Sequence, residues 1–410
     1  MGSKKISLLT LSWIYITLFN RNKKMGILAK CVQCEHCQEK YRLRYNLGNK
    51  YPQSATFPCH TCGEDLTFGV GTDKEIFKNI REIPFKMDLK IVNLHPELTL
   101  DVASKNDPLY FPSLDFMVRQ HQNGKDGIAE FQAAQQSCIL YQQKWDAVQK
   151  DFRYLTEKRW KLLEEKYGTD QKVTEHKILM EVFEAADRFL QGKWAEFSDH
   201  VLDVVGDAYK HPSYPSLRDY LLEFKEDFLM NKLYEVMKSY RELEEVLLPT
   251  LLHQKCGFVP EGYSSSVNWE KLKMAYGDFF EIYGDLLLIP TSLNNLLTRN
   301  DINKFNTDGF NLNKYIDADK SSKAENFKAN SKLVGLGEFY DSGIRNGTHH
   351  KASTFDKDTQ TISFKTGKGG RGRRQMSLVS YIEHCNELYA RILSVTKGYY
   401  LINMMKPKNR

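Results

Sequence analysis

The sequence predicts a mainly α-helical chain that opens with a small cysteine-rich ribbon. Three observations carry that expectation. Five of the eight cysteines crowd between Cys31 and Cys62. From Gly127 no proline occurs until Pro212, and apolar residues recur at steps of three and four. A last apolar stripe, Leu378, Ile382, Cys385, Leu388, Ile392 and Val395, repeats the helical period near the C-terminus.

Composition bounds the class. Hydrophobic residues make up 41% and charged residues 27%, so the chain can bury a core and is not disordered by composition. A net charge of +6 permits a nucleic-acid partner without demanding one.

Residues 1–24 hold an apolar run from Ile6 to Phe19 between lysines and arginines. It is shorter than the ~20 residues a spanning helix needs. A membrane anchor, a signal peptide and sequence upstream of a start at Met25 compete. The last is preferred, because Met25 leads straight into the ribbon, and no stable membrane insertion is expected.

Residues 25–72 are read as a zinc ribbon. Cys34 and Cys37 form one CxxC pair, Cys59 and Cys62 another. Each pair offers two thiolates from a tight turn, and two turns complete a tetrahedral site. Gly63 follows the second pair, where a turn needs freedom from Cβ strain. Cys31 also forms a CxxC with Cys34, which leaves the register open. A closed four-cysteine site has no open position for water, so the zinc is expected to be structural. Clustered cysteines also suit a reducing cytoplasm better than a disulfide framework.

Residues 73–124 read as strands and linker. Residues 125–260 form a long-helix region. Its first stripe runs Phe131, Ala134, Cys138, Tyr141, Trp145, Val148, Phe152 and Leu155, in a helix expected to reach Tyr167. Further helices are expected over 172–190, 192–208, 215–252 and 268–284, then 327–343 and 376–401. Residues 299–325 are asparagine-rich and read as loop.

Arg345-Asn346-Gly347-Thr348-His349-His350 is the only stretch where an arginine precedes a histidine by four to six residues. Imidazole titrates near neutrality and can move a proton. Guanidinium stays charged and forks onto phosphate oxygens. Here residues 261–410 resemble the HEPN superfamily of helical domains, whose motif is R-x(4–6)-H, often with Asn after the Arg. The resemblance implies a C-terminal HEPN helical bundle and a metal-independent endoribonuclease. It would use 2′-OH attack, leave a 2′,3′-cyclic phosphate and build its site across a homodimer or higher oligomer. Arg345 and His350 would carry the reaction, with Asn346 orienting and His349 as the alternative base. It further implies an anti-phage, abortive-infection or toxin effector, with RNA as substrate and a phage or host protein as trigger. The chain departs from the family pattern at 351–375, where a β-prone piece and a basic turn are inserted. Lys365, Lys368, Arg371, Arg373 and Arg374 alternate with glycines there and are expected to grip an RNA backbone. The rival reading is a non-catalytic HEPN and zinc-ribbon module that binds nucleic acid or a protein partner.

Overall fold

The computed structural model describes residues 26–47, 53–71, 74–94, 120–122, 124, 126–223, 226–257, 268–349, 353–356, 360–367 and 371–406. The leader at 1–24, His350 and Lys368 lie outside the described residues, and so does the side chain of His349. The chain divides into two compact units, one of strands and one chiefly of helices.

In the first unit, β1 (Gly26–Cys34) pairs antiparallel with β2 (Lys40–Leu47) and with β6 (Ile80–Ile83). Strand β7 (Lys90–Asn93) lies parallel to β2. A second antiparallel sheet joins β3 (Gln53–Pro58), β4 (Asp65–Val70) and β5 (Glu75–Lys78). Alternation along β2 sends Tyr41, Leu43 and Tyr45 inward, onto Phe57, Leu66 and Phe68 of the second sheet. One apolar cluster thus serves both sheets.

The second unit begins with α1 (Gly127–Thr156), whose start is capped by Asp126 accepting from the Ala129 N–H. The predicted stripe from Phe131 to Leu155 is buried throughout. This helix does not run on to Tyr167. Lys158 adopts φ +55° and the Arg159 N–H bonds the Tyr154 carbonyl at 2.8 Å, a left-handed closure that ends the helix before α2 (Trp160–Tyr167). Next come α3 (Gln171–Leu190), antiparallel to α1 with Lys144 on Glu184 and Ser137 on the Arg188 carbonyl, and α4 (Ala195–Tyr209). The stretch expected as one helix over 215–252 holds α5 (Tyr214–Glu223), α6 (Glu226–Glu242) and α7 (Glu244–Lys255), and it breaks at Leu243 between α6 and α7. Then follow α8 (Trp269–Leu286), α9 (Leu288–Arg299) and α10 (Leu312–Ile316).

Over 327–343 the expected helix is replaced by a 3-10 turn ending at Phe327, the short α11 (Val334–Gly337) and the first residues of α12 (Ser342–His349). Two glycines in α11, the extended Glu338 and Phe339 at φ +60° break the periodicity. Strands β8 (Ser353–Asp356), β9 (Thr361–Thr366) and β10 (Gly372–Ser377) make an antiparallel sheet in the order β10-β9-β8. Helix α13 (Leu378–Met404) follows, capped by Ser377 accepting from the Ser380 N–H. It is buried almost all round and packs on α3, α4, α7 and α8, as a central helix must. The thirteen α-helices of the described residues make the protein mainly α.

Candidate functional site

The motif helix α12 is preceded by Asp341. Its Oδ1 accepts from the N–H groups of Gly343 (2.8 Å) and Ile344 (3.2 Å), which satisfies two of the free donors at the helix start. Ile344 and Thr348 point inward and are buried. The Thr348 hydroxyl donates to the Ile344 carbonyl. That phase turns Arg345 and Asn346 outward, Arg345 half-buried and Asn346 exposed.

Two contacts hold the Arg345 guanidinium. One terminal nitrogen meets Glu281 Oε1 of α8 at 2.7 Å, and the other donates to Asn346 Oδ1 at 2.9 Å. Its Nε is buried and finds no hydrogen-bond partner among the described residues. Glu281 also takes Lys320 Nζ at 2.5 Å, and Lys320 reaches Asp285 at 3.2 Å. Burial alone would raise the Glu281 carboxyl, but Lys320 and Arg345 outweigh it and keep it below the ordinary range.

The hairpin that carries the predicted basic residues is seated directly on this helix. Gly347 makes the approach possible. A Cβ there would stand 2.3 Å from the Phe364 ring and 2.7 Å from the Lys365 carbonyl oxygen. Arg374 of β10 pairs with Asp341 at 2.5 Å. Burial would raise the Asp341 carboxyl, yet Arg374 and the two capping N–H groups hold it lower than usual. Arg373 and Lys365 face each other across β10 and β9, and both are exposed, as is Arg371. The fold therefore brings Arg345, Asn346, Lys365, Arg373 and Arg374 to one helix–hairpin assembly. Glu281, Lys320 and Asp341 were not among the residues expected from sequence. Asp341 left a trace, as a capping residue four positions before Arg345. Glu281 left none, since it lies on a different helix.

The second constellation belongs to the strand unit. The Sγ atoms of Cys34, Cys37, Cys59 and Cys62 all lie within 4.8 Å of one another, so they could hold a metal ion. The closest pairs cross between the two turns, Cys37 to Cys59 at 3.4 Å and Cys34 to Cys62 at 3.8 Å. Both turns are built alike. The Gln38 N–H bonds the Cys34 carbonyl and the Gly63 N–H bonds the Cys59 carbonyl, with Gln38 at φ +65° and Gly63 at φ +77°. Tyr41 Oη lies 3.1 Å from Cys59 Sγ and accepts the His60 N–H at 2.9 Å. Burial opposes ionisation of Cys59, but the Tyr41 hydroxyl and the N–H groups of Cys62 and Thr61 bring the thiol down to about 6. Cys31 stands apart, bonded instead to Lys86. His36 and His60 are exposed. No family model matches the chain, and neither curated proteins nor solved structures give a match.

Proposed function

We propose that the protein is a metal-independent endoribonuclease of the HEPN type, with a zinc ion as the structural centre of the ribbon. The observation that supports this reading best is the union of motif helix and basic hairpin. Arg345 lies on α12, and the hairpin packed on α12 carries a row of exposed cations. Such a row draws in a phosphodiester backbone. Arg345 then meets the charge that builds on the phosphorus-centred transition state. In this reading His350 moves the proton and Asn346 keeps the guanidinium aimed. Two protomers contribute one site each to a composite centre. The enzyme acts as a toxin-like or anti-phage effector in the cytoplasm, awaiting a trigger. Zinc suits four thiolates in a closed tetrahedron.

One observation favours a second reading. The Arg345 charge is already met by Glu281, which suits a non-catalytic module that binds nucleic acid or a protein partner.

The deciding experiment incubates the purified protein with a mixed RNA pool in excess EDTA, beside Arg345→Ala and His350→Ala. Cleavage by the wild type alone, ending in cyclic phosphates, is the expected result. Equal cleavage by all three proteins would remove the reading. Binding without cleavage, in the presence of candidate triggers, would favour the module.

A further inference from the structure

Two cations from different elements share one carboxylate. Glu281 of α8 places Oε1 2.7 Å from the Arg345 guanidinium and Oε2 2.5 Å from Nζ of Lys320, where the 3-10 turn begins. A carboxylate presents two oxygens to a pair of donors much as a phosphodiester presents its two non-bridging oxygens. The three side chains are part exposed, with 24% of Arg345, 31% of Lys320 and 34% of Glu281 open to solvent. Two polar groups beside them have no hydrogen-bond partner among the described residues. One is Arg345 Nε, and the other is the hydroxyl of Tyr340, a residue only 9% exposed. The Tyr340 ring stacks on Phe280, centroids 4.2 Å apart, and its hydroxyl lies over Gly284. A Cβ on Gly284 would stand 2.4 Å from that oxygen and 3.2 Å from Cδ of Lys320, so the glycine lets hydroxyl and lysine meet the same turn of α8. Glu281 also lines an open groove of about 580 Å³ between α6 and α8, with Val236, Phe279 and Ile282 buried beneath it. The carboxylate thus has room to turn away from the cations, while Asp285, 3.2 Å from Lys320, stays to hold the lysine.

Resting on the ribonuclease reading, we infer that Arg345, Lys320 and Tyr340 form a phosphate subsite for the RNA strand, which Glu281 occupies in the resting protein. Glu281 is then a built-in substitute for the phosphodiester, and RNA binds by displacing it. Part-exposed ion pairs of this kind are weak. A strand that also meets the cations of the hairpin packed on α12 makes several phosphate contacts at once, so the exchange favours the strand. The Tyr340 hydroxyl and Arg345 Nε, which Glu281 leaves unused, are donors for the incoming phosphate. In this arrangement the pairing of Arg345 with Glu281 covers the site without removing it.

The test measures binding of a fluorescein-labelled 2′-O-methyl RNA, which lacks the attacking hydroxyl, to the full chain by anisotropy. Folding is checked by circular dichroism, and cleavage of an RNA pool is followed alongside. Glu281→Gln keeps the shape of the side chain and removes its charge. It is expected to bind the strand roughly five- to tenfold more tightly than the wild type, by less as salt rises, and to cleave the pool faster. Adding Lys320→Ala or Tyr340→Phe to Glu281→Gln should reverse part of the gain. Glu235→Gln is the control, because that carboxylate lines the same groove but pairs with Lys238. An affinity in Glu281→Gln no higher than that of the wild type, or an equal gain in Glu235→Gln, overturns the subsite. Cleavage by the wild type and not by Arg345→Ala would then leave the ribonuclease reading standing. A wild type that neither binds nor cleaves better than Arg345→Ala overturns both.

Discussion

A single hydrogen atom's worth of space decides how the basic hairpin meets the motif helix. Gly347 has no Cβ, and Phe364 fills the space one would occupy. Gly347→Ala must push the ring or the β9 backbone aside, an overpacking cost of about 1–3 kcal/mol. Urea unfolding should show a lower midpoint at an unchanged slope, and an unchanged midpoint would refute the packing argument. Asp341 makes a pH-dependent contribution beside it. Its carboxyl is held below the ordinary 3.8 in the folded protein. The stabilisation is therefore complete above 3.8 and lost as pH falls through the lower folded value. The gap in stability between wild type and Asp341→Asn should be wide at pH 6 and shrink in acid. A gap that stays constant into acid would show that the ion pair with Arg374 is not its source. Arg345 and Asn346 are singled out at this scale by residue type and spacing, and the fold sets them in contact. Glu281 is not singled out, because nothing near it in sequence marks it as the partner of Arg345.

Among the elements, α13 is the one whose sequence pattern understates its role. Its apolar stripe predicts one buried face, but polar residues on other faces are buried too, among them Asn386, Glu387, Arg391 and Ser394. Each is satisfied. Ser394 donates to the Ala390 carbonyl, and Asn386 bonds Tyr240 and Gln254. Glu387 accepts from Lys193 at 2.5 Å, Trp194 Nε1 at 3.0 Å and Arg391 at 2.5 Å. Burial opposes its ionisation, and Arg391 and Lys193 overcome that. Glu387→Ala leaves Arg391, 4% exposed, as a cation without that carboxylate. The expected cost is about 3–5 kcal/mol, read by chemical unfolding. A loss under 1 kcal/mol would mean that water or Glu338 takes over. Ser377→Ala, by contrast, removes only the cap of α13 and should cost about 1 kcal/mol.

For the whole molecule, the two units rest on different physics. The helical unit holds an extensive apolar core. The strand unit has a small one, centred on Tyr41, Leu43, Phe57, Leu66 and Phe68, beside four clustered thiols. A metal ion bound by four thiolates supplies folding free energy outright. Stripping the full-length protein with a strong chelator under reducing conditions should release one zinc per chain. Strand-unit amides should then lose hydrogen-exchange protection, while the far-ultraviolet helical signal persists. Intact protection after complete metal loss would show that the core alone sustains the ribbon.

What the sequence by itself determined is local. The paired CxxC turns and the stripe of α1 arise from interactions within a few residues, which periodicity and residue type report directly. Tertiary structure alone decided the rest. It broke 215–252 at Leu243 and turned Phe339 into the left-handed region. It also buried α13 almost all round and set Glu281 against Arg345. These depend on which surfaces meet once the chain has closed on itself, and contacts between residues distant in sequence leave no periodicity along it.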